Sequence, residues 1–96
     1  VRINPPPGIN REKMAKVHEL KTHPIPFQAI ESGLKRFEYR VNDRGYEVGD
    51  LLCLKEYDPD KWEYPGGSQW VRVEYILHGG QYGIPDGYCI MSICKV

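Results

Sequence analysis

The stretch RFEYRVN, Arg36 to Asn42, alternates without a break: Phe37, Tyr39 and Val41 fall on one side of an extended chain, and Arg36, Glu38, Arg40 and Asn42 on the other. A period of two marks a strand with one packed face and one polar face. Phe37, Tyr39 and Val41 are therefore expected in a core. The charges between them are expected either on a solvated wall or at a site for an anionic partner.

Working outward, the following NDRG is a turn signal, and LLCLKEYD after Gly49 and Asp50 reads as the next strand. The two strands are expected to form a hairpin-like pair. Upstream, residues 15–23 can alternate as a first strand, with His18 and Leu20 on one face and Val17, Glu19 and Lys21 on the other. Pro24 and Pro26 end it. In IPFQAIESGLK, Phe27, Ile30 and Leu34 recur at helical spacing and Gly33 suits a helix C-terminus, which predicts a short helix with one buried stripe. Downstream, WVRVEYIL predicts a strand with Val71, Val73, Tyr75 and Leu77 on one side. After the loop HGGQYGIPDG, YCIMSICKV supplies a last strand.

The pattern is mainly β (α+β): about five mostly antiparallel strands with one short helix after the first, and no βαβ alternation. A small barrel accounts for it, since closure removes the edges that a five-stranded open sheet would leave unpaired. Residues 1–14 are rich in proline and lack periodicity. They read as a flexible leader or cloning remnant with Met14 as a native start, leaving residues 15–96 as a single domain.

Composition narrows the function classes. With 96 residues of which 41% are hydrophobic and 11% aromatic, the chain has the makings of one core. Thirteen basic residues balance thirteen acidic ones, so any anion-binding surface must arise by local clustering. No apolar run approaches the roughly 20 residues that span a bilayer. Cys53, Cys89 and Cys94 are odd in number and lack CxxC spacing, which suits a reducing, cytoplasmic setting and packed core thiols. Cys89 and Cys94 have opposite parity and should face opposite ways. His18, His23 and His78 show no metal-ligand spacing with the cysteines, so neither a metal nor a cofactor is expected.

Gly33, Lys35, Glu38 and Arg40 match the GxKxxExR pattern of ASCH domains, which have a PUA-like β-barrel fold. The longer run HELK, GLKRFEYRVNDRGYEVGD, LLCLKEYD, VEYIL and GYCIMSI resembles the DUF3850 branch of that superfamily over roughly residues 16–95. One departure is Tyr64-Pro65-Gly66-Gly67, where a sequence closer to YTGR, with its arginine, is expected. The resemblance implies binding of RNA or a nucleotide; the lack of a long apolar run is what makes a membrane partner unexpected. It sets Lys35, Glu38 and Arg40 in a cleft between helix and barrel.

Spacing alone makes Glu38 and Arg40 a surface ion pair. With the resemblance, Lys35 and Arg40 become phosphate ligands and Glu38 either orients Arg40 or meets a base edge. Lys21 is a further phosphate candidate or simply solvated, and His18 a hydrogen-bonded structural histidine. Gln81 and Tyr82, in a glycine-rich loop, offer an amide and a stacking ring, a surface that Trp62 and Tyr64 can extend. Two other classes stay open. Some compact members of the superfamily are amidohydrolases for N4-acetylcytidine that use the motif lysine and a threonine where this chain has Glu38. Here Lys35 and Glu38 would be the catalytic pair, with Glu38 as a general base on water. The third class is a protein-interaction module.

Overall fold

A computed structural model describes residues 15–96. The element order is β1 (Val17–Thr22), α1 (Pro24–Glu31), β2 (Phe37–Val41), β3 (Leu51–Glu56), β4 (Ser68–His78) and β5 (Tyr88–Lys95). The reading of residues 1–14 as a leader lies outside the described residues.

The five strands make one sheet in the order β1-β3-β4-β5-β2, curled into a half-barrel. Three of the four pairings are antiparallel, and β1 runs parallel to β3. On the inner side, Leu20, Leu52, Leu54, Val71, Val73, Cys89, Met91 and Ile93 pack with Phe27 and Ile30 of α1 and with Tyr46. Each large apolar side chain buried this way contributes about 1.5–3 kcal/mol relative to an exposed one. Pro24 and Pro26 begin the helix rather than merely ending the strand. Having no N–H, they remove two of the donors that a helix start leaves unbonded.

The expected β2–β3 hairpin does not form: β2 pairs with β5, and β3 lies between β1 and β4. Residues 42–50 instead carry the chain from one edge of the sheet towards the other. Asp50 fixes their end by accepting from the Glu47 N–H (2.9 Å) and the Lys16 N–H (3.3 Å), and by bonding the His18 ring (2.9 Å). His18 is thus the structural histidine expected, buried edge-on against Tyr46.

The alternation of β2 is present with its faces exchanged. Phe37, Tyr39 and Val41 point outward, each about half exposed, while Glu38 is 2% exposed. Register explains it: Glu38 and Arg40 sit opposite Met91 and Cys89, both fully buried, whereas Tyr39 and Val41 sit opposite Ile90 and Tyr88 on the outer face. A slip of one residue would exchange every side chain. Backbone bonds outside the strand, Ile93 N–H to Arg36 O and Asn42 N–H to Gly87 O, hold this register at both ends.

Other expectations change for local reasons. Leu34 is exposed because Gly33, at φ +83°, turns the chain out of the helix one residue before the stripe would continue. A bulge between Val73 and Tyr75 keeps Val71 and Val73 inside but sends Tyr75 outward and Ile76 towards the core. Leu77 pairs with Ile90 on the outer face. Cys53 and Cys89 are packed thiols, but Cys94 is exposed, as its parity relative to Cys89 requires.

Candidate functional site

Exchanging the faces of β2 carries its charges into the half-barrel, where they find one another. Lys35 Nζ lies 3.0 Å from Glu38 Oε1, and Arg40 Nε donates to Glu38 Oε2 at 2.6 Å. Arg40 Nη2 donates to Thr22 Oγ1 of β1 at 3.2 Å. Glu38 is therefore not the surface partner that spacing alone suggests. A buried carboxylate is tolerated because both its oxygens meet cations that still reach solvent at their far ends.

Local structure delivers these groups. Gly33 N–H bonds Ile30 O and Lys35 N–H reaches back to Ala29 O, so Lys35 is anchored to the helix end before β2 begins. Its ammonium also lies 4.8 Å from the centre of the Phe37 ring. Glu38 and Arg40 follow on one strand face, two residues apart, and Thr22 continues the inward set His18, Leu20, Thr22 of β1.

Beside this cluster is an open cleft of about 310 Å³ lined by Glu19, Lys21, Arg40, Arg44, Lys55 and Tyr64. Among the described residues, four cations thus face one carboxylate. Lys55 Nζ and Glu19 are 3.4 Å apart, but both are well exposed, a pair of the kind worth at most about 1 kcal/mol. The parallel β1/β3 ladder puts Lys21 directly opposite Lys55. Lys21 Nζ sits 4.6 Å from the Tyr57 ring centre, and Tyr57 meets Tyr64 edge-on at 4.9 Å, giving the cleft an aromatic wall. A second hollow of about 480 Å³ shares Glu19, Lys55 and Tyr64 and continues along Gly66 and Gly67. A side chain at Gly67 would collide with Glu56 Oε1 at 2.9 Å and press on the Phe27 ring. Tyr46 is buried close by. Burial pushes its phenol pKa up, while the positive charges of Arg40 and Arg44 pull it the other way.

Of the residues expected at a site, Lys35, Glu38 and Arg40 come together, and Lys21 shares the cleft with Arg40. Gln81 and Tyr82 do neither among the described residues. Gln81 donates to His78 O at the base of its own loop, and Tyr82 stands fully out at φ +53°. Thr22, Arg44 and Lys55 belong to the arrangement but were not legible. Thr22 and Lys55 look like ordinary strand residues, and only the curl of the sheet and the parallel pairing bring them to Arg40 and Lys21.

Fold and site together define a mostly β half-barrel domain whose cationic cleft opens beside a buried ion-pair cluster. Residues 17–93 match the family described as "Domain of unknown function (DUF3850)", and the chain belongs to that family. It is also 50% identical over 44 residues to "Uncharacterized 12.9 kDa protein in GpA 3'region" of Escherichia phage P2. That match covers 46% of this chain and 40% of the relative.

Proposed function

We propose that this is an ASCH-type, PUA-like domain that binds RNA or a nucleotide in the cleft of Arg40, Arg44, Lys21, Lys55 and Tyr64. One observation carries the reading: buried Glu38 and Thr22 hold the Arg40 guanidinium by Nε and Nη2, leaving Nη1 without a hydrogen-bond partner among the described residues. A fork preset in this way loses little freedom on taking a phosphate oxygen, and three further cations surround the same space. Tyr64, supported by Tyr57, supplies the ring on which a base stacks. Glu38 acts here through Arg40 and Lys35, not by touching ligand. The free thiols fit a cytoplasmic setting.

The amidohydrolase reading asks more of Glu38. Serving as a base on water would require one carboxylate oxygen to let go of Lys35 or Arg40.

The test is a titration with short single-stranded RNAs, nucleoside monophosphates and N4-acetylcytidine at two salt concentrations, with the same mixtures assayed for product. Binding should weaken with salt, with a logarithmic slope of about −0.7 for each phosphate contacted, and should fall in Arg40→Ala and Lys55→Ala. Turnover of N4-acetylcytidine would replace this reading with the hydrolase. Silence towards every probe would leave a protein-interaction module.

A further inference from the structure

The outer surface of the sheet divides into two halves of opposite character. On β1 and β3 the outward side chains include Glu19, Lys21 and Lys55, and they border the cleft. Across β2, β5 and β4, the ladders set out rows of different composition. Phe37 lies beside Ser92 and Ser92 beside Tyr75; Tyr39 lies beside Ile90 and Ile90 beside Leu77; Val41 lies beside Tyr88. Apart from Ser92, every member of these rows is apolar or aromatic. Phe37, Tyr39, Val41 and Tyr75 are 47%, 48%, 48% and 64% exposed.

Two separate departures from ordinary strand patterning create this face. The exchange of faces in β2 sends its three apolar side chains outward, and the bulge in β4 turns Tyr75 out instead of letting it follow Val71 and Val73 into the core. Each device exposes bulky side chains at the cost of burial elsewhere, and both act on the same patch. The face is also ordered in advance, since the Tyr39 and Tyr88 rings stack at 5.4 Å.

We infer that this face joins two copies of the chain, sheet to sheet, about a two-fold axis. Its charge identifies the occupant. Among the described residues the rows themselves hold no cation, and the two that border them are already paired: Lys35, 4.8 Å from the Phe37 ring centre, with buried Glu38 at 3.0 Å, and Arg72, on the neighbouring part of β4, with Glu74 at 3.0 Å. The patch therefore offers little to attract nucleic acid or an anionic membrane. A chain of zero net charge meets no long-range repulsion from its own copy. The area is also of the required order. An aromatic side chain carries about 150–250 Å², so four half-exposed rings with Val41, Leu77 and Ile90 offer roughly 600 Å². Stable complexes bury about 800 Å² per partner, and the polar rim supplies the remainder. The dimer leaves the cleft of Lys21, Arg40, Arg44 and Lys55 open, so it does not depend on the proposed ligand.

Sedimentation velocity of the full 96-residue chain over a micromolar concentration series tests the inference. The expected result is a concentration-dependent shift from monomer to dimer. Tyr75→Lys, at the most exposed large apolar or aromatic position of the rows, should raise the dimer dissociation constant at least about tenfold, with Tyr39→Lys as an independent second variant. The thermal midpoint of each variant, measured where the wild-type chain is monomeric, should stay close to wild type. A chain that is monomeric throughout the series overturns the inference. So does a dimer indifferent to both lysines, or a monomer that binds neutral lipid vesicles through this face.

Discussion

Arg40 on one edge strand reaches Thr22 on the opposite edge strand, and this 3.2 Å side-chain bond spans the seam that β1 and β2 leave unpaired. The half-barrel is thus closed at this point by a side chain and not by a backbone ladder. Because the same guanidinium borders the cleft, closure of the fold and presentation of charge rest on one residue.

Removing Glu38 should therefore do more damage than its single carboxylate suggests. Glu38→Ala leaves Lys35 and Arg40 without their shared partner, and we expect a loss of about 2–3 kcal/mol. The figure sits below that for a fully buried pair because both cations keep some solvent contact. Urea denaturation of Glu38→Ala beside Glu38→Gln measures it. Glu38→Gln keeps an acceptor and should lose less.

Ligand affinity should respond differently at the rim of the cleft. Arg44 and Lys55 have well-exposed side chains, so Arg44→Ala and Lys55→Ala should leave stability within about 0.5 kcal/mol of wild type. Each should also flatten the salt dependence of single-stranded RNA binding by about 0.7 of a unit of logarithmic slope. Unfolding curves and binding isotherms on the same preparations separate the two effects.

Stability should fall at alkaline pH through two buried groups. Burial raises the Tyr46 phenol above 10.0 and the Cys89 thiol above 9.0. In that window the folded chain keeps protons that the unfolded chain has released, so their contribution is complete below the unfolded values and is lost as pH rises through the folded ones. Unfolding free energies measured upward from pH 8 should decline, starting near 9. Cys89→Ala should flatten the first part of that decline, and Tyr46→Phe the part beyond about 10.

Two glycines should separate backbone strain from steric collision. At Gly33, φ is +83° and a Cβ would meet nothing within 4 Å, so Gly33→Ala should cost about 1 kcal/mol. At Gly79 a Cβ would fall 1.9 Å from Pro85 O and 2.7 Å from Tyr88 O, both backbone atoms. Gly79→Ala should cost at least about 3 kcal/mol, and thermal melts of the pair make the comparison.

What the sequence made legible was periodicity, not polarity. The alternation of RFEYRVN gave the strand and placed Glu38 beside Arg40 on one face. Hydrophobicity then pointed to the wrong side, because burying this carboxylate depends on Lys35 and Arg40 meeting it and on Thr22 holding Arg40, and Thr22 comes from a strand with no local link to β2. The helix is legible in Phe27 and Ile30, and its end in Gly33, while Leu34 keeps helical spacing beyond the point where Gly33 ends the stripe. A bulge leaves no mark in a two-residue period, so Tyr75 is expected inside and found outside. The cleft was half legible. Lys21 and Arg40 stood out as candidates, while Lys55 and Arg44 join them only through strand pairing and the path of residues 42–50.

The pairing of β2 with β5 also sets a timetable for folding. β2 has as its ladder partner the last of the described strands, so β2 cannot be secured until Tyr88–Lys95 has left the ribosome. Until then Glu38 has no settled interior to enter, and Phe37, Tyr39 and Val41 form an unpaired apolar edge. The nascent chain is thus exposed to aggregation until β5 has emerged, and truncations within β5 should be recovered as insoluble protein rather than as a smaller stable fold.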